Sequence, residues 1–350
     1  AAVVFALSTF VFYAVYAINI QTNRRRRTLR HSDAHMRPEE QERMAVQSLK
    51  KIMAGMLGAA MLLTAVACGT TDESTDAKAE AKAGFDVSTV KKDDTIAAML
   101  PKSVADSGEL TVGMELSYAP AEFVGDDGKT PEGYDVDLAK ALGKVFGLDT
   151  KIISSTFDTI VPSVGTKYDL GITAMTITQE RMDAVDFVSY YKAGSSWAVK
   201  KGNPEHIDVN DLCGKKIAVQ VGTTQEEEAN EIKQQCAADG KAAVEVMPSK
   251  LQTDAATAVA TGKADVFYAD SPVAGYAISQ TGDALEDLGS AEGVVKQGIA
   301  IKKGDTELAK AVQAAMQHLM DDGTYMKILE AWGVESGAIK TAEINPKDLD

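Results

Sequence analysis

The chain has 350 residues, with 36 Lys and Arg against 51 Asp and Glu, a net charge of −15 and an apolar content ordinary for a globular protein. Residues 1–67 carry nine basic and four acidic groups, leaving 27 against 47 and a net of −20 in the rest. That acidity argues against a nucleic-acid partner, which needs basic patches. No Cys/His cluster has zinc spacing, and no GxxxxGK[ST] phosphate loop is present, so neither a metal nor a nucleotide cofactor is expected.

Ala1–Ile20 is apolar enough to span a bilayer, and Arg24–Arg27 would mark a cytoplasmic end. Met44, however, opens a complete export signal by itself. Residues 1–43 are therefore read as a start-site artefact or translated upstream segment, with an extra membrane span as the alternative. Residues 44–67 look like a bacterial lipoprotein signal peptide. Lys50 and Lys51 form its basic region, Ile52–Val66 its apolar region, and Ala65 and Ala67 flank the cleavage point before Cys68. The expected consequence is a diacylglycerol thioether on Cys68, tethering the protein to the outer face of the cytoplasmic membrane. The alternative is a buried helix ending in an ordinary cysteine. Residues 68–85 have almost no large apolar residue and read as a solvated, disordered linker.

From Leu110 onward, apolar runs alternate with helical patterns. Strands are expected at Leu110–Gly113, Lys151–Ser154 and Asp169–Ile172, with Val136, Ala139, Leu142, Val145 and Phe146 at helical spacing. The pattern repeats from Gly214, with strands at Lys216–Val221, Ala243–Met247 and Ala264–Tyr268 and helices near 225–235 and 252–261. This alternation points to an α/β sheet with helices on its faces. Cys213 precedes a strand and Cys236 ends the following helix. Strand and helix return over similar distances, so the two cysteines fall at one end of the unit. In an exported protein they are expected to form a disulfide, the alternative being two buried thiols.

Tyr168–Phe187 joins a short apolar strand to a hydroxyl cluster, Thr173, Thr176 and Thr178, and then to a lone arginine, Arg181. The guanidinium fork fits a carboxylate bidentately, and strand ends facing a crevice are where α/β sheets hold ligands. A surface salt bridge from Arg181 to Glu180 or Asp183 is the other reading.

In order along the chain stand LTVGMELSYAPAEF (110–123), GYDVDLAKALGKVFG (133–147), FDTIVPSVGTKYDLGITAMTITQERMDAVDF (157–187), GKKIAVQVGTTQ (214–225), ADVFYADSPVAGY (264–276) and GIAIKKGDTELAKAVQAAMQHLMDDGTYMKILEAWGV (298–334). Over about residues 86–336 the chain thereby resembles the family 3 extracellular solute-binding proteins of amino-acid ABC transporters. The resemblance implies a two-lobe, type II periplasmic-binding-protein α/β fold with two crossover hinge strands, candidates being Ser195–Lys200 and Gly293–Gly298. Lobe 1 would hold 86–197 and 295–340 and lobe 2 would hold 198–294, with 341–350 a tail.

The resemblance also supplies roles for a binding protein that is a monomer and not an enzyme. Arg181, helped by Thr176, would fork onto an amino acid's carboxylate. Thr224 and Gln225 would line the site from a helix start, although Thr224 with Glu227, or Thr223 with Glu226, also reads as a capping box. Asp270 would take the ammonium, or cap the helix at Ser271-Pro272. Thr173 and Ala174 would line the site, Ala174 lacking the hydroxyl of some relatives. Tyr118 and Phe157 would sandwich the ligand side chain or simply pack in the core. Glu115 matches an acidic position of relatives that hold cationic amino acids, and of some glutamine binders; solvation is its alternative. The expected ligand is a polar or basic L-amino acid, delivered to a permease with its ATPase subunits. A dehydratase-type enzyme on the same fold and an amino-acid sensor are the rival classes.

Overall fold

The computed structural model describes residues 84–282 and 284–349, which belong to one compact unit, Lys78–Asp350. The membrane, signal-peptide and Cys68 readings lie outside the described residues. Among the described residues no helix is long and apolar enough to cross a membrane.

After two short helices, α1 (Asp94–Ala97) and α2 (Lys102–Ala105), the chain runs β1 (Glu109–Met114), β2 (Ser117–Tyr118), β3 (Glu122–Val124), β4 (Pro131–Glu132), α3 (Tyr134–Phe146) and β5 (Asp149–Ser154). Then follow α4 (Ile160–Ser163), β6 (Leu170–Gly171), α5 (Gln179–Ala184) and β7 (Val185–Lys200). The second block has β8 (Lys216–Gln220), α6 (Thr224–Ala238), β9 (Glu245–Ser249), α7 (Gln252–Ala260), β10 (Val266–Asp270) and α8 (Ser271–Gln280). β11 (Leu285–Lys302), α9 (Thr306–Asp321) and α10 (Thr324–Trp332) complete it.

One eight-stranded sheet has the order β5-β1-β6-β11-β7-β10-β8-β9, and β2-β3-β4 form a small second sheet. At one end β5, β1 and β6 are parallel, at the other β10, β8 and β9, each set joined by crossover helices. β7 and β11 pair antiparallel along nearly their full length, with register shifts at 288/292, 292/295 and 297/298. Two long strands thus run through both ends of the sheet, and their irregularities fall where the chain passes from one end to the other. They are far longer than the candidate hinge segments suggest.

The helices pack as their periodicity predicts. In α3, Val136, Ala139, Leu142, Val145 and Phe146 are all buried, and Gly147, left-handed at φ 72°, closes the helix. α9 buries Leu308, Val312, Ala315 and Leu319 on one face. Residues expected to be a tail lie along β7, where the Ser189 amide donates to Glu343 O (2.9 Å) and the Asn345 amide to Phe187 O (2.9 Å). Phe85, at the end of the expected linker, packs against the core and gives its amide to Asp137 Oδ2 (2.9 Å).

The expected disulfide is present: Cys213, just before β8, is bonded to Cys236 in α6, with Cα atoms 5.6 Å apart. It closes a loop of sequence separation 23. Replacing both cysteines by alanine is expected to remove about 3 kcal/mol of stability through restored chain entropy. A urea-unfolding midpoint equal to that of the parent protein would contradict this.

Candidate functional site

The parallel strands of both ends point their C-termini into one crevice, and the predicted site residues stand there. Glu115 follows β1, Thr173 to Thr176 follow β6, Gln220 ends β8 and Asp270 ends β10. Four hydrogen bonds close the two ends on each other across this crevice. Arg181 Nη2 donates to Gly222 O (2.9 Å) and Gln220 Nε2 to Glu115 Oε2 (2.9 Å). The Gln252 amide donates to Ser117 Oγ (2.9 Å), and the Asp270 amide to Tyr118 Oη (3.3 Å).

Arg181 sits in the first turn of α5, where Thr178 caps the helix by accepting the Arg181 amide (3.1 Å). Its guanidinium turns inward: Nη1 donates to Thr176 O (2.8 Å), and its carbon lies 5.5 Å from the Phe157 ring centroid. Two backbone carbonyls, not the carboxylates of Glu180 or Asp183, hold it. Burial lowers its pKa, opposed by the charges of Glu227 and Asp270.

Asp270 is 5% exposed. It stands at the N-cap of α8, but its carboxylate makes no capping bond. Oδ1 accepts from Gln225 Nε2 and Oδ2 from Gln297 Nε2, both at 2.8 Å. Burial raises its pKa to about 6, against the pull of Tyr118, Gln225 and Arg181. Gln225 also donates to Ser195 Oγ (2.8 Å). Thr223, not Thr224, caps α6 by accepting the Glu226 amide (3.1 Å), while Glu226 Oε2 accepts from the Gly222 amide (2.7 Å). Thr224 follows as the first helical residue, half-buried.

Glu115 is 2% exposed, so it is not solvated. Its Oε2 accepts from the Ser117 hydroxyl (2.9 Å) and from Gln220, and burial raises its pKa against these bonds. Among the described residues, neither Glu115 nor Asp270 has a Lys, Arg or His within ion-pair distance. Thr173 spends its hydroxyl inside the protein, donating to Glu122 Oε1 (2.9 Å) and accepting the Glu115 amide (3.0 Å). Ala174 is left-handed at φ 47°, with its amide on Asp135 Oδ2 (2.7 Å). Tyr118 and Phe157 are both buried, the first against Asp270 and the second under Arg181.

Of the ten predicted ligand residues, only Glu115 lines a cleft of about 700 Å³, walled by Phe123, Ala256, Val273 and Tyr276. Gln220 and Gln297 were not singled out from the sequence. Each gives its amide nitrogen to a site carboxylate and leaves a buried carbonyl oxygen without a donor. Such an acceptor costs free energy until a donor reaches it.

The profile of the bacterial extracellular solute-binding proteins, family 3, matches residues 110–335. The chain belongs to that family. An arginine-binding protein of Corynebacterium glutamicum is 34% identical over 258 residues, covering 73% of this chain and 84% of that protein. An L-cystine-binding protein of Escherichia coli is 32% identical over 249 residues, covering 68% and 90%. An ancestral arginine-binding protein, solved bound to arginine, matches with 34% identity and a TM-score of 0.60, covering 64% of this chain and 98% of that one. This solute-binding protein therefore has the two-lobe type II periplasmic-binding-protein fold, and its relatives are named for binding amino acids.

Proposed function

We propose that the protein binds a cationic L-amino acid, arginine foremost, between two lobes, and presents the closed form to an ABC permease. Lobe 1 comprises 86–197 and 295–340 and lobe 2 comprises 198–294. The observation that carries this reading is the charge layout of the crevice. One cation, Arg181, and one carboxylate, Asp270, come from opposite lobes, and a second carboxylate, Glu115, is buried with no protein cation to pair it. An α-amino acid matches the first pair with its carboxylate and ammonium. A cationic side chain matches the third group, since a buried carboxylate is stabilised by an opposed charge. Thr224 and Gln225 approach from a helix N-terminus, whose free amides favour the ligand carboxylate. The donorless oxygens of Gln220 and Gln297 lie beside Glu115 and Asp270, where N–H groups of such a ligand would satisfy them. Because the ligand contacts both lobes, it favours the closed over the open arrangement.

The test is a thermal-shift panel of the common amino acids on protein refolded to strip bound ligand. L-Arginine at a hundred times its Kd is expected to stabilise the native state by about 2.7 kcal/mol, with L-lysine shifting it less. A shift confined to glutamine or cystine would move the assignment to a neutral side chain. No shift with any amino acid would overturn the reading.

A further inference from the structure

Glu122 opens β3, and Asp135 lies in the first turn of α3. The chain between them turns tightly: the Asp135 amide donates to Ala121 O (2.9 Å). Gly133 has φ 128°, and a Cβ there would stand 2.1 Å from the Ala121 oxygen. Both carboxyl groups are completely buried. Glu122 Oε1 accepts the Thr173 hydroxyl (2.9 Å). Asp135 Oδ2 accepts the Ala174 amide and the Tyr190 hydroxyl, both at 2.7 Å. The other oxygens, Glu122 Oε2 and Asp135 Oδ1, are shut off from solvent and receive no N–H or hydroxyl donor. The two carboxyls are close enough to perturb each other's acidity, and each turns one buried oxygen to no partner. Two ionised carboxylates can only accept, so a bond between them requires a proton.

We propose that Glu122 and Asp135 are positioning residues that share one proton at neutral pH, and that this proton-bridged pair holds the site segment Thr173–Ala174 in its binding shape. The proposal rests on the amino-acid reading above for what that segment lines. Thr173 passes the constraint on, because its hydroxyl joins Glu122 to the Glu115 amide. Ala174 needs the constraint, because a left-handed alanine is held only where its surroundings over-determine it.

The titratable groups facing the pair are Glu115 after β1, Tyr118 on β2, Tyr134 on α3, Tyr190 and Tyr191 on β7 and Tyr325 on α10. All are acidic or neutral, so none compensates a second negative charge. Burial pushes Glu122 well above the usual carboxylate range, and Asp135 up to about 6. Two good donors, the Tyr190 hydroxyl and the Ala174 amide, stabilise the Asp135 anion, which places the shared proton on Glu122.

Glu122→Gln tests this, because it keeps the shape, accepts from Thr173, donates to Asp135 and cannot titrate. The infrared spectrum of the ligand-free parent protein at pH 7 is expected to carry a buried protonated-carboxyl band that the variant lacks. A carboxyl with a raised native pKa binds more protons folded than unfolded. Its contribution is therefore full below the unfolded pKa and lost as pH rises through the native one. The parent's melting temperature should then fall relative to the variant's as pH rises from 5 to 9. For L-arginine, the ratio of parent to variant Kd is expected to climb several-fold between pH 7 and 10, the ligand's own titration cancelling. Glu122→Ala should bind more weakly at every pH.

Identical infrared bands and parallel stability curves would overturn the shared proton. A flat Kd ratio would overturn the positioning role. Should L-arginine bind neither protein, the amino-acid reading falls, while the infrared and stability measurements still decide whether the pair holds a proton.

Discussion

Arg181→Ala is expected to weaken L-arginine binding roughly a hundredfold to a thousandfold, the effect of losing about 3–4 kcal/mol. A guanidinium has five N–H donors. Two are occupied, on Thr176 O and Gly222 O, so three remain for a carboxylate without disturbing the bonds that aim the group. Those two carbonyls and the Phe157 ring hold the planar fork before any ligand arrives, which keeps the ordering cost of binding low. Truncation removes the charge-assisted bonds and leaves the ligand carboxylate in a crevice whose nearest charged neighbours, Glu227 and Asp270, repel it. The lost stacking on Phe157, about 1 kcal/mol at such a site, is small beside this. Arg181→Lys should recover only part of the affinity, since an ammonium supplies a point charge and not a bidentate fork. Titration calorimetry gives the answer directly: wild-type affinity in the alanine variant would remove Arg181 from the site.

The features that periodicity encodes were readable. Helix α3 and strands β1, β5, β8 and β10 fall within a few residues of their predicted places, because each buries a face whose spacing is local. The long strands were not. Within β7, only its last third was expected, since Gly194 and three serines interrupt any alternation. Its length comes from pairing with β11, whose partners run from Leu285 opposite Lys200 to Lys302 opposite Val185, a separation that no local window contains. The same holds for the crevice. Arg181 and Asp270 stand out as lone charges at element ends. Gln220, by contrast, is one more polar residue ending an apolar run, and its partner Glu115 is 105 residues away. Gln297 and Asp270 are 27 apart, brought together because β7 pairs with β11 on one side and β10 on the other. The signal available for Glu122 and Asp135 was slight: two acids beside apolar residues in motifs that supply much of the core.

Affinity for L-arginine is expected to rise with pH through about 6, and Asp270→Asn to lower it by roughly a hundredfold at pH 7.5 while flattening that rise. In the ligand-free protein, burial holds the Asp270 pKa at about 6. A ligand ammonium favours the ionised carboxylate, so the pKa is lower in the complex and binding must expel the proton from whatever fraction carries it. Below pH 6 each unit of acidification should therefore cost about tenfold in affinity through Asp270, and between pH 6 and 7.5 that contribution should fade. Asparagine fails for two reasons. It has no charge for the ammonium, and its own amide nitrogen faces Gln225 Nε2 or Gln297 Nε2 unless one of those amides turns over and gives up its present bond. The slope left in the variant is expected to come from Glu115, whose pKa is also raised by burial. Calorimetry at pH 5, 6 and 7.5 in buffers of different ionisation enthalpy counts the released protons. A wild-type affinity constant across that range, with no proton release at pH 6, would mean that the ammonium does not sit on Asp270.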